Sequence, residues 1–341
     1  MPVAPQDDDW AFQPIGAQFP EAPVRVPGQQ NMYVALWYKY GKPVHGRAWN
    51  NDGVVECSFP YNKAELRKKS ELQGDIQVLT YKGDFDSKGF WYEWLPISTR
   101  ITGCDPGIRE IVKCGKSAPV LIPMKDGTKK LGYMDLDLEV AYVSANGKVE
   151  QYEGGATSNF LGIFRNLKSP PFVKIYEDVW VDVRFNDSFP ARALQAEGRP
   201  MKTETGPHQQ FVALWYHHGD PVFGRAYPFQ NGRLFAHFAR NNKEFAGSDV
   251  GSLQVLTQPE PAKCGLEYKW MTLEEGKKQA WTHVRIGNAS PVVLVDDKGI
   301  EVLGNLDVVT GIASAGFEGK EKVIPKAAAA KLRTLFKRRN G

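Results

Sequence analysis

The chain has 341 residues, of which 42% are hydrophobic, 12% aromatic and 24% charged, with a net charge of +4. That length suggests two domains, and the composition excludes a disordered chain and leaves ample apolar material for globular cores. Six positive charges (Lys326, Lys331, Arg333, Lys337, Arg338 and Arg339) lie in an acid-free terminal stretch; removing six from +4 leaves the body near −2, so a body-wide nucleic-acid field is not expected.

In chain order, the start "MPVAPQDDDW" is acidic, without a basic n-region or an apolar h-region. Residues 1–9 therefore read as a tail, and no secretory leader is expected. No window approaches the ~20 apolar residues of a membrane helix. The four cysteines, Cys57, Cys104, Cys114 and Cys264, show no CxxC spacing and read as reduced thiols of a cytoplasmic protein, although Cys104 and Cys114 are close enough to meet across a hairpin.

The next segment, "YVALWYKYGKPVHGRAW" at 33–49, returns as "FVALWYHHGDPVFGRAY" at 211–227. The echo extends outward. Trp10 with Phe19-Pro20 answers Trp180 with Phe189-Pro190, "GDIQVLT" answers "GSLQVLT", and "GFWYEW" answers "GLEYKW". The offset stays between about 170 and 180 residues, which marks a duplicated domain rather than a solenoid. Repeat 1 spans 10–168, a Ser-Pro-Pro connector 169–179, and repeat 2 180–324. Within each, short alternating runs bounded by "YGKP", "NNDG", "KDG" and "ANGK" turns predict hairpins. The fold class expected is all-β: two tandem homologous antiparallel β-sandwich domains with a short C-terminal helix. That helix is placed over 325–341, where "PKAAAAKLRTLFKRR" puts Leu332, Leu335 and Phe336 at i, i+3 and i+4. A shorter one is expected over "KAELRKKSEL" at 63–72.

Each candidate site also has a plainer role. Trp37, Tyr38 and Arg47, with Trp215, Tyr216 and Arg225, form a candidate ligand platform if the aromatics are exposed. In the alternative the tryptophans fill the core and the arginine ties a loop through carbonyl oxygens, which is the reading preferred. Lys331, Arg333, Lys337, Arg338 and Arg339 are candidate contacts for a partner or an anionic surface, including a membrane; packing of the terminal apolar face on its own domain is preferred. His217 and His218, adjacent on a strand, point to opposite faces, so no metal site is expected. Asp135 and Asp307, at matching positions, read as turn-holders. With no nucleophile elbow, P-loop or dinucleotide fingerprint, neither cofactor nor catalytic residue is assigned.

The stretch "GKPVHGRAWNNDG", with its echo "GDPVFGRAYPFQNG", resembles the DM-nine repeat lectins, which implies a β-rich, cytosolic, mannose-binding protein. Unit size, β content and the "VALWY" hairpin resemble the nematode PUD proteins, which implies β-sandwiches that pair into dimers. The expected function is a cytoplasmic, non-enzymatic binding or scaffold protein with two similar recognition surfaces for protein or other ligands. Its two repeats are expected to pack face to face as an internal pseudo-dimer. A lectin-like carbohydrate-binding protein, and a hydrolase or isomerase with an interdomain cleft, are the alternatives.

Overall fold

The doubled motif is a β-hairpin in both places. Tyr33–Lys39 pairs antiparallel with Lys42–Asn51, and Phe211–His217 with Asp220–Phe229. The connecting residues, Tyr40-Gly41 and His218-Gly219, all have positive φ, the backbone of a type I′ turn whose twist suits the flanking strands. The glycine before each arginine is required by packing rather than by φ: a Cβ on Gly46 would lie 2.4 Å from the Ser58 carbonyl oxygen, and one on Gly224 2.2 Å from that of His237.

The computed structural model describes residues 3–105 and 107–340. The chain divides into two compact units, 1–50 with 54–171 and 51–53 with 172–341. In the first, one sheet runs in the order Asp9–Pro14, Asp75–Thr80, Tyr33–Lys39, Lys42–Asn51, Val54–Tyr61 and Ala64–Leu66. The other runs Trp91–Pro96, Leu161–Asn166, Ser117–Pro123, Lys129–Asp135, Val140–Ala145 and Lys148–Tyr152. A bridge between Ala64 and Lys148 joins the two at one edge. The second unit repeats the order. Val179–Arg184, Ser252–Thr257, Phe211–His217, Asp220–Phe229, Arg233–Arg240 and Lys243–Ala246 form one sheet; Leu266–Met271, Arg333–Arg339, Ala289–Val295, Glu301–Asp307, Ala313–Phe317 and Lys320–Ile324 form the other. Two tandem antiparallel β-sandwiches are the architecture.

Each sandwich buries its central strands on both faces. Val34 packs with Leu79, Leu121, Leu131 and Ile163, whereas Ala35 and Trp37 point the other way, into a cluster with Phe19, Phe59 and Leu72. Such two-sided burial explains why "VALW" is apolar without alternation. Residues 63–72, expected as a helix, instead give strand Ala64–Leu66 and a loop that lays Leu72 over Trp37. Trp37 Nε1 donates to the Leu72 carbonyl at 3.1 Å.

The terminal stretch corrects a second expectation. Only Lys326–Ala329 is helical; Arg333–Arg339 is a strand paired with both Leu266–Met271 and Ala289–Val295. The first repeat uses Leu161–Asn166 in the same way, between Trp91–Pro96 and Ser117–Pro123. Non-local pairing and the burial of Thr334, Leu335 and Phe336 prevail over the local helical pattern. Among the described residues no helix is long and apolar enough to cross a membrane.

Candidate functional site

In each repeat the motif arginine crosses from one sheet to the other. Arg47 donates to the Ser144 carbonyl at 2.8 Å and to Glu65 at 2.9 Å; Arg225 donates to the Gly316 carbonyl at 2.8 Å and to Glu244 at 2.9 Å. The glutamate then accepts a turn amide, from Gly147 at 2.8 Å or Gly319 at 2.7 Å. Both carboxylates are 6% exposed. Burial pushes Glu244 up, but His237, Arg225 and the Gly319 amide outweigh it and hold the carboxyl below the usual range. Glu65 is held low against its own burial by Ser58, the Gly147 amide and Arg47. The arginine is thus a strut between sheets.

That geometry places the six platform residues. Trp37 is 3% exposed and Trp215 1%, while Tyr216 and Arg47 are buried and Tyr38 is 47% exposed. They do not converge on one exposed surface, so the platform for a sugar ring is not formed by them. Trp37 belongs to the core cluster with Phe59, and Trp215 packs on Phe238 and Phe245. A loop covers that strand face in the first repeat and buries Trp37.

The repeats differ around the strut. Ser58 of the first corresponds to His237 of the second, Ser144 to Gly316, and Trp49 to Tyr227. In the first repeat the Ser58 and Ser144 hydroxyls sit 2.6 Å apart and Ser58 donates to Glu65 at 2.5 Å. In the second, His237 Nδ1 lies 2.8 Å from Glu244 and Nε2 2.9 Å from the Tyr227 hydroxyl. With Glu244 ionised, Nδ1 carries the hydrogen and Tyr227 donates to Nε2. The larger imidazole and its glutamate are accommodated by Gly316, where a Cβ would lie 2.3 Å from Glu244 Oε1.

A fourth difference is an insertion. From Phe189 to Phe211 is 22 positions, against 14 from Phe19 to Tyr33. The extra residues form a hairpin, Met201–Thr203 with Gly206–His208. It is anchored where Arg199 grips Glu301 with two bonds of 2.6 and 2.7 Å and the Lys202 amide adds a third at 3.0 Å. All four differences border one cleft of about 930 Å³ within the second repeat, floored by Arg225, Tyr227 and His237 and walled by the inserted hairpin. Its size falls in the ligand-pocket range of about 300–1,000 Å³. Burial lowers the basicity of His237 and raises the Tyr227 hydroxyl pKa. Both ring nitrogens of His237 are engaged, Nδ1 by Glu244 and Nε2 by the Tyr227 hydroxyl.

A family described as "MFP2b: Cytosolic motility protein" matches residues 7–167 and again 177–339. The chain belongs to this family. It is similar to the nematode sperm cell motility protein MFP2B, whose crystal structure superimposes with a TM-score of 0.92 at 40% identity over 98% of each chain. No curated protein matches. The family shown is MFP2b rather than the PUD or DM-nine proteins that the hairpin motif resembles, and its description is that of a cytosolic protein.

Other expected residues fall into place around this MFP2b repeat. The basic terminal residues are mostly engaged at home: Arg333 with Glu197 at 3.0 Å, Lys337 with Asp178 at 2.6 Å, and Arg338 with Glu267 at 2.8 Å and over the Trp281 ring. Arg339 lies over Tyr176, and Lys331 is exposed. They do not form a free cationic helix. Asp135 and Asp307 each accept two turn amides, as turn-holders do. His218 sits in the positive-φ turn rather than on the strand, so its ring lies 4.1 Å from that of His217 instead of facing away. In the second unit both meet Asp52, His217 Nδ1 at 2.7 Å and His218 Nδ1 at 3.2 Å, and the ligand-type atoms of the three lie within 4.8 Å of one another. His217 Nε2 is also within 3.2 Å of the Asn241 amide, a hydrogen-bonded cluster. Sequence reasoning overlooked Tyr227, His237 and Glu244 as a group. The signal was present as paired departures between the repeats, Ser58 against His237 and Ser144 against Gly316.

Proposed function

We propose that the chain is a non-enzymatic binding scaffold of a cytosolic motility system, and that the cleft of its second repeat holds the partner. The observation that carries this is the convergence of the four departures of repeat 2 from repeat 1 on that one cleft. A duplicated sandwich needs its strut twice, and Arg47 and Arg225 supply it twice. It does not need an eight-residue insertion walling a cleft, nor a Tyr–His pair on its floor, for stability. Two further supports are the family's description and the similarity to a sperm cell motility protein.

The test is to replace the native copy, in the motile cells that make it, with Phe229→Ala or with Glu318→Lys, both at exposed cleft positions. Crawling speed is expected to fall at unchanged protein level. A control, Tyr38→Ala on the exposed end of the first hairpin, should move normally. Normal speed with both cleft variants would overturn the reading.

A further inference from the structure

The connector between the repeats is an exposed apolar segment. From Lys168 to Lys174 every residue is exposed, and Phe172 at 67% and Val173 at 59% follow Pro170 and Pro171 directly. Its first end is fixed, since the Lys168 carbonyl accepts from Trp91 Nε1 at 2.9 Å. Consecutive prolines hold this stretch extended, close to polyproline II, so little conformational freedom remains to be lost on docking.

The second-repeat cleft has the chemistry such a segment needs. Phe229, half exposed, and Phe317 stand at its rim beside Tyr227, and Pro200, Pro207 and Pro228 line it. Polyproline segments dock on aromatic grooves of this kind. Prolines bring carbonyl acceptors and no N–H, so the groove must offer donors and few open acceptors. Here Asp296 already accepts the Lys298 and Ile300 amides, and Glu244 is filled by Arg225, His237 and Gly319. Lys298 and Lys322 remain as donors, the latter 5.2 Å over the Phe317 ring. At the rim Glu204 and Glu318 are exposed and, among the described residues, hold no salt bridge. They complement the two lysines that flank the connector.

We propose that this cleft receives the connector of a second copy of the chain, residues 168–174 lying extended across it. The inference rests on reading the cleft as the binding site, and it names the occupant. Because connector and cleft are different surfaces, the contact is heterologous: each copy offers a free cleft at one side and a free connector at the other, so association proceeds head to tail.

The experiment titrates a fluorescein-labelled peptide, Lys-Ser-Pro-Pro-Phe-Val-Lys, with the full chain and follows anisotropy, alongside sedimentation of the unlabelled protein. Saturable binding is expected. It should weaken at least about tenfold with Phe229→Ala, or with alanines replacing both prolines of the peptide. Combining Glu204→Lys with Glu318→Lys should weaken it, and a peptide with both lysines changed to glutamate should restore it. Weight-average mass should rise with concentration for the wild type and stay monomeric for Phe172→Ser, a substitution at an exposed site that leaves the melting temperature unchanged. The proposal is overturned by no saturation at millimolar protein, by equal binding of the proline-free peptide, by failure of the charge swap, or by a constant mass. If crawling depends on the cleft while the peptide does not bind, the site stands and this occupant is wrong.

Discussion

Removing Glu244 tests the strut most directly. Glu244→Ala leaves Arg225 in a site where its side chain is 14% exposed, and burial already disfavours its charged form. Breaking a buried ion pair from one side costs about 3–5 kcal/mol. The lower end applies here, because Arg225 keeps its bond to the Gly316 carbonyl and borders a cleft that water enters. The matching Glu65→Ala should cost a similar amount, since Arg47 keeps the Ser144 carbonyl and Ser58 keeps the Ser144 hydroxyl. At about 2–4 °C per kcal/mol for units of 150–250 residues, each single variant should lower the melting of its own repeat by roughly 6–12 °C. Scanning calorimetry reads both. The double variant Arg225→Met, Glu244→Leu should recover part of the loss, because it removes both charges of the pair while His237 Nδ1 and the Gly319 amide still lose their acceptor. A loss below about 1 kcal/mol for either single variant, or a double variant as unstable as the single, would refute the strut. The pH dependence has a definite sign. Each glutamate's folded pKa lies below its unfolded value of about 4.3, so its contribution is complete above that pH and disappears as pH falls through the lower folded value.

Three further outcomes follow from the same contacts. Gly46→Ala and Gly224→Ala place a methyl against a neighbouring strand's carbonyl and should each cost about 1–3 kcal/mol by chemical denaturation; a neutral result would mean the strands separate freely there. Ending the chain before Arg333 removes a strand paired on both sides, so the second repeat should lose its cooperative unfolding transition, whereas an unchanged transition would mean that strand is dispensable. The Cys57 thiol is buried and pushed up to about 12, so a thiol reagent near neutral pH should reach it only after unfolding, and fast labelling in the native state would contradict its burial.

Much of this architecture is readable from residue order, because duplication writes most turns twice and the drift in offset stays within loop lengths. The role of Arg47 and Arg225 as ties was readable too, from a lone charge between two small residues. The terminal strand was not. Leu332, Leu335 and Phe336 satisfy a helical spacing, and the strands that flank Arg333–Arg339 begin more than 40 residues away. No local pattern reports such partners. The cover of Trp37 was hidden for a related reason: Leu72 lies 35 residues on, in a stretch whose charge and leucines suggested a helix. The cleft becomes visible only when the two repeats are laid on each other and their differences, rather than their identities, are read.

Two homologous sandwiches on one chain face a hazard during folding, because a strand of one can pair into the other. The glycine opposite Glu244 bears on this. A hybrid in which Val140–Ala145 took the place of Ala313–Phe317 would bring the Ser144 side chain to the position where a Cβ meets Glu244 Oε1 at 2.3 Å. The reverse hybrid would face Ser58 with a glycine and leave its hydroxyl one partner short. Side-chain volume at the strut would then act as a key that favours each sandwich's own strand over its sibling's. A chain with Gly316→Ser and His237→Ser should fold with more exchange between repeats than the natural one, readable as lower refolding yield.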